Sequence, residues 1–209
     1  MNAVEVSKNE ALGKAKLVSN VFHPWAILVP VVALAAYQAV GEPFECVKWT
    51  LLTVVPVFAF PLIYAKIRAT VLSRGGSQQK ISRSLVRNDP GQLFVMTGLF
   101  GVPSAAILHY LNGPRNLLII ILGITAVMFV ISLVNLKYRA SFHLSMVTGM
   151  LMSLWFLFGA VSFIAFLLIP ILGYSRYQLG EHTPTQLVTG FLIGLVVSIA
   201  IFSGLGLGA

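Results

Sequence analysis

The stretch from Ser141 to His182, SFHLSMVTGMLMSLWFLFGAVSFIAFLLIPILGYSRYQLGEH, decides how this chain folds. From Leu144 to Gly173 it has no Lys, Arg, Asp, Glu or His, and then Arg176, Glu181 and His182 arrive close together. His143 and His182 are 39 positions apart. As one straight helix that separation would be about 58 Å, far beyond the ~30 Å hydrocarbon core of a bilayer. A single crossing cannot hold it. Two short spans, 140–157 and 161–174, turning near FGAVS, accommodate the length and return His182 to the side of His143.

The rest of the chain reads the same way. Of its 209 residues 57% are hydrophobic and only 10% charged, which is not a soluble composition. Apolar spans fall at 21–40, 49–72, 93–111 and 117–136, and a last one at 185–207, making seven with the hairpin. The expected fold is therefore an all-α, polytopic integral membrane helical bundle. A single transmembrane domain, 21–209, follows an N-terminal segment, 1–20.

That N-terminal segment lacks the basic region, short apolar core and small-residue cleavage site of a secretory signal, so it is expected to be retained. Its apolar periodicity among Lys8, Lys14 and Lys16 suits a short amphipathic helix on the membrane surface; the other reading is a frayed tail. Cys46 is alone, which rules out an internal disulfide and a cysteine metal cluster. The net charge of +8 flanks apolar spans and accompanies no nucleic-acid motif, so anionic headgroups or phosphorylated lipids are the expected partners.

With seven spans, the N-terminal segment, the loop 73–89 and the segments 137–143 and 175–182 share one face. Of the fourteen basic residues only Lys48 and Arg115 fall on the other, beside Glu42 and Glu45. Positive charge at span ends marks the cytoplasmic side, so the basic face is expected there. Basic residues kept to bind an anion would bias the count the same way.

Three polar segments on that face carry residues suited to phosphate. They are Lys80 and Arg87 in KISRSLVR, Ser141 and His143 in RASFH, and Arg176 and His182 in SRYQLGEH. Arg presents a planar fork of donors and Lys a point charge, while imidazole can attack phosphorus or protonate a leaving oxygen. No carboxylate cluster for Mg²⁺ accompanies them, so the developing charge would fall to Lys and Arg.

The pattern resembles the type 2 phosphatidic acid phosphatase superfamily, membrane lipid phosphate phosphatases related to vanadium haloperoxidases. The signatures of that family are Lys-x6-Arg-Pro, Pro-Ser-Gly-His and Ser-Arg-x5-His-x3-Asp. Here they read Lys80-x6-Arg87-Asn88, Ala140-Ser141-Phe142-His143 and Ser175-Arg176-x5-His182-x3-Gln186. The resemblance implies no cofactor, a phosphohistidine on His182, and His143 as the acid for the leaving lipid oxygen. Lys80, Arg87 and Arg176 would bind phosphate oxygens, with the Ser141 hydroxyl and the Phe142 backbone N–H as further donors. Gln186 stands where the family has Asp, as in some membrane-bound branches; it can orient the imidazole but brings no charge. Glu181, adjacent in sequence, is a candidate to compensate.

The implied activity is hydrolysis of a lipid phosphate or an isoprenoid diphosphate. Two other readings stand beside it: an inert relative that binds lipid phosphates, and an enzyme that transfers or ionises a prenyl chain. Arg83 reads as an ordinary loop cation, and His23 and His109 as structural. The GGSQQ stretch after Arg74 reads as a loop. Small residues in GLFGVPSAA and GLGLGA read as helix packing, and Pro30, Pro56, Pro61 and Pro103 as kinks within spans.

Overall fold

A computed structural model of the chain describes residues 3–74 and 90–208, and all the regular structure among them is helical. In order they are α1 (Ala3–Val21), α2 (Pro24–Val40), α3 (Pro43–Arg74), α4 (Pro90–Tyr110), α5 (Arg115–Val134), α6 (Phe142–Phe158), a 3-10 segment (Gly159–Leu167), α7 (Leu168–Gln178) and α8 (Pro184–Leu205). Five helical stretches are long and apolar enough to cross a membrane: Asn9–Val40, Pro43–Arg68, Arg115–Val134, Phe142–Gln178 and Pro184–Leu205. A shorter apolar helix covers Phe94–Tyr110. Large apolar side chains face outward along them, among them Leu62, Val102, Val161, Ile164 and Val196. In water such a surface would be a liability, and against lipid chains it is the expected one. Helices of this length and apolarity are compatible with a multi-pass membrane protein.

Local sequence sets where the helices start and stop. Pro24 occupies the first turn of α2, where its missing N–H costs nothing, and His23 caps that end by accepting the Trp25 N–H on Nδ1 at 3.3 Å. Gly41, at φ 66°, ends α2 in the left-handed conformation and donates back to the Tyr37 carbonyl at 2.8 Å. Pro43 opens α3, whose interior Pro56 and Pro61 remain within one helix. Asn135 closes α5, and its side chain accepts from the Ala140 N–H at 2.8 Å, turning the chain toward α6.

The chain reverses where the apolar length required it. After Phe158, Gly159 takes φ 62°, and the backbone runs on as the 3-10 segment before returning as α7. Both returning pieces pack on α6. A Cβ on Gly173, midway along α7, would lie 3.6 Å from Leu144 at the start of α6, so the returning chain comes back to where α6 begins.

The core lies where α2, α5, α6 and α8 come together, around Leu28, Ile120, Ile124, Met146, Met150 and Phe202. Its tightest seam joins α6 to α8. A side chain on Gly190 would run into the Ser141 carbonyl oxygen, and one on Gly194 into that of Ser145. Four residues further along, a Cβ on Gly149 would lie 3.3 Å from the Ser198 hydroxyl. The pairing advances in steps of four along both helices, which makes them parallel, and small residues are what allow backbones to approach so closely. Helix α1 docks elsewhere. Its stripe of Leu12, Ala15, Val18 and Ser19 faces inward, and the helix packs on α7. Residues 9–21 are thus helical and attached, which a frayed tail would not be.

Candidate functional site

Where α6 and α8 begin and α7 ends, the second and third polar segments are stitched together. Ser141 caps α6, its Oγ accepting the Leu144 N–H at 3.5 Å, while its own backbone N–H donates to the Gln186 carbonyl at 3.0 Å. Ser141 is fully buried, so its hydroxyl is committed to this junction. The Phe142 N–H lies in the first turn of α6, where no helical carbonyl is within reach of it. One residue on, His143 is partly buried.

Arg176 sits in the last turn of α7 and is only 9% exposed. Its Nη1 donates to the Ser19 hydroxyl on α1 at 2.8 Å, and its Nη2 forms an ion pair with Glu181. Next to it, the Ser175 hydroxyl donates to the Ala15 carbonyl at 2.6 Å. Gly180, at φ 66°, supports the turn that carries the chain from α7 to Glu181, whose N–H bonds back to the Arg176 carbonyl at 3.2 Å.

His182 follows this turn and is half-buried. Its Nδ1 lies 3.2 Å from Gln186 Oε1. That oxygen also accepts the Thr183 N–H at 3.1 Å, and the Thr183 hydroxyl accepts the Gln186 N–H at 3.4 Å, a reciprocal capping box at the start of α8. An amide oxygen only accepts, so Nδ1 must be the donor. The neutral ring therefore carries its hydrogen on Nδ1 and presents a lone pair on Nε2. Burial is the main force holding the His182 pKa below the ordinary 6.5, with Arg176 and Arg139 acting in the same direction. The Gln186 bond and the Glu181 charge oppose them.

His143, His182 and Arg176 are thus brought into one cluster, with both Arg176 and His182 within electrostatic reach of the His143 ring. Gln186 and the Phe142 N–H lie at the same junction. Lys80, Arg83, Arg87 and Asn88 fall outside the described residues. Glu181, expected as a counter-charge for His182, pairs with Arg176 and still acts on His182 through its charge. His109 sits near the far end of α4 against Tyr110, ring centroids 5.6 Å apart, in keeping with a structural role.

Three neighbours of the cluster were given no part in the site from sequence. His23, read as structural, does cap α2, but its ring also meets that of His143 edge-on, with centroids 4.9 Å apart and planes at 89°. Arg139 is exposed and lies within electrostatic reach of His182. Ser19 holds Arg176. Only Arg139 had a local signal, its position two residues before Ser141. Among the described residues no group of three or more His, Cys, Asp or Glu is placed to hold a metal ion. No family model, curated protein or solved structure matches the chain.

Gln186 serves both the cap and the imidazole, and two variants separate these duties. Gln186→Leu is expected to cost about 1 kcal/mol through loss of the capping box, seen as a lower thermal midpoint in detergent. Gln186→Glu keeps an acceptor at the same reach, so α8 should begin unchanged while the added charge raises the His182 pKa, followed by NMR titration of the ring.

Proposed function

We propose that this protein is an integral membrane phosphatase that hydrolyses a lipid phosphate or isoprenoid diphosphate through a phosphohistidine on His182. The observation that carries this reading is the His182–Gln186 bond, which leaves the Nε2 lone pair available on a ring within electrostatic reach of His143 and Arg176. In the reaction Nε2 attacks phosphorus, the bond from phosphorus to the leaving oxygen breaks, and His143 gives that oxygen a proton. Water, deprotonated by His143, then cleaves the nitrogen–phosphorus bond and releases phosphate. Arg176, together with Lys80 and Arg87, neutralises the phosphoryl oxygens, and the Phe142 N–H adds a donor at the start of α6.

In this arrangement seven apolar helices cross the bilayer, α6 and the returning 3-10 segment with α7 counting as two. The basic face lies in the cytoplasm and α1 rests at the headgroup level. Gln186 supplies no carboxylate to balance a positively charged phosphohistidine, and Glu181 is engaged with Arg176. Such a site favours a leaving group that needs little help, and the phosphate of a diphosphate fits that need better than a lipid alkoxide.

A purified-protein screen of phosphatidic acid, phosphatidylglycerophosphate and polyprenyl diphosphates for phosphate release tests the reading, with prenyl diphosphate products analysed for chain transfer. No release from any of them sinks it. One observation favours a second reading, a receptor that binds lipid phosphates without turnover: Arg176 already holds a carboxylate. Glu181→Gln removes that competitor. Phosphate affinity is expected to rise severalfold while thermal stability falls, because a buried guanidinium loses its counter-charge; equilibrium binding and a melting curve report the two effects.

A further inference from the structure

Ala15, Ser19 and His23 are spaced four residues apart, and each meets a different residue of the cluster. The Ala15 carbonyl takes the Ser175 hydroxyl, the Ser19 hydroxyl takes Arg176 Nη1, and the His23 ring lies against that of His143. The chain keeps turning past the end of α1 as far as His23, whose own backbone is extended, since the Phe22 N–H bonds to the Val18 carbonyl at 2.9 Å and the His23 N–H to the Asn20 carbonyl at 3.4 Å. Residues separated by four lie on one face of such a winding. Ala15 and Ser19 are both buried, so this face is enclosed against the site.

Resting on the phosphatase reading, we infer that this N-terminal stripe is a fourth wall of the active site, with Ser19 a positioning residue for Arg176 and His23 a positioning residue for His143. None of the three belongs to the phosphate-binding signatures. Ser19 holds Nη1, and because the guanidinium is planar and rigid this also fixes the edge now paired with Glu181, where an incoming phosphate oxygen would replace the carboxylate. His23 is itself held, because its Nδ1 accepts the Trp25 N–H and Pro24 restricts the backbone beside it. Its ring therefore limits how the His143 imidazole can rotate. Small displacements of a positioned acid cost a large part of its effect, so a rigid neighbour matters more than its distance from phosphorus suggests.

The test uses the full chain in detergent, with histidine-labelled NMR and kinetics on whichever lipid phosphate is hydrolysed. Ser19→Ala is expected to raise KM for the lipid and the Kd for inorganic phosphate by about tenfold with kcat nearly kept, and Ser19→Thr should restore both. His23→Asn keeps a capping oxygen but removes the ring, whereas His23→Phe keeps a ring without the cap. If the ring positions His143, His23→Asn lowers kcat about tenfold and moves the His143 ring resonances, while His23→Phe stays near the parent in both. The charged and titrating groups around His143 in these spectra are Arg176, His23 and His182.

A purely structural role predicts the reverse order, with Asn harmless and Phe damaging, and that order overturns the inference for His23. Unchanged phosphate binding in Ser19→Ala, or no binding of inorganic phosphate by the parent, overturns it for Ser19. If the parent releases no phosphate from any lipid, the phosphatase reading fails separately, and the ring resonances and the phosphate titration still decide this one.

Discussion

His182→Ala is expected to lower phosphate release by at least about a thousandfold, because in the proposed mechanism it removes the atom that forms the covalent intermediate and not merely a contact to substrate. The Gln186 side chain keeps the ring in one tautomer with Nε2 free, and within the cluster the other rings, His143 and His23, are engaged with each other. The stability of the variant should change little, since His182 is half-buried and the capping box of α8 is made by Thr183 and Gln186 without it. Loss of activity with a preserved melting point separates chemistry from folding. Activity in the parent protein should also have an acidic limb below pH 6.5. Burial and the two neighbouring guanidiniums lower the folded pKa of His182, so the neutral nucleophile persists to a more acidic pH than a free imidazole would. The same shift has a sign for stability. A histidine buried as the neutral ring opposes folding once the unfolded chain can take up the proton, so stability falls as pH drops below 6.5. Retention of more than about a tenth of parental turnover by His182→Ala would remove the phosphohistidine from the mechanism.

Much of the architecture was legible because a bilayer imposes a length. The spans read at 117–136 and 185–207 correspond to Arg115–Val134 and Pro184–Leu205, and the excess length between His143 and His182 called for the reversal found at Gly159. Helix α3 begins well before the span read at 49–72, since Pro43 opens it and Glu45 lies in its first turn, signals of helix start and not of hydrophobicity. The 3-10 run after Gly159 was not foreseen, because its apolar side chains look the same in either helix type. The pairing of His182 with Gln186 followed from spacing, although the ring precedes α8 and does not lie on it. What escaped was what depends on contacts between distant parts of the chain. Ser19 and Arg176 are 157 positions apart, and Ala15 and Ser175 are 160 apart. Glu181 illustrates the same limit from nearer at hand. Its neighbour in sequence is His182, but the turn at Gly180 aims its carboxylate at Arg176.

Gly190→Leu is expected to destabilise the folded protein by about 3 kcal/mol and to disable the site along with it. The reason lies in the α6–α8 seam. The first added carbon would already meet the Ser141 carbonyl oxygen, which is backbone and cannot rotate away, so the helices must separate. Helices in lipid gain no hydrophobic advantage from touching and depend on close packing, which makes such a separation costly. It would strain the Ser141 N–H bond to the Gln186 carbonyl, the link through which the segment bearing His143 is registered against the segment bearing His182. Gly194→Leu should act alike through Ser145, one step further along the seam. Gly204, near the end of the same helix, has nothing within 4 Å of its would-be Cβ, and Gly204→Ala should be neutral or stabilising by up to ~1 kcal/mol because alanine favours the helix. Thermal unfolding in detergent, followed by tryptophan fluorescence, compares the three variants directly. If Gly190→Leu melts with the parent, the helices are not held at this distance and the two histidines owe their placement to something else. If it melts early while Gly204→Ala does not, the glycines at 190 and 194 are what allow two sequence segments, neither able to perform the chemistry alone, to form one site.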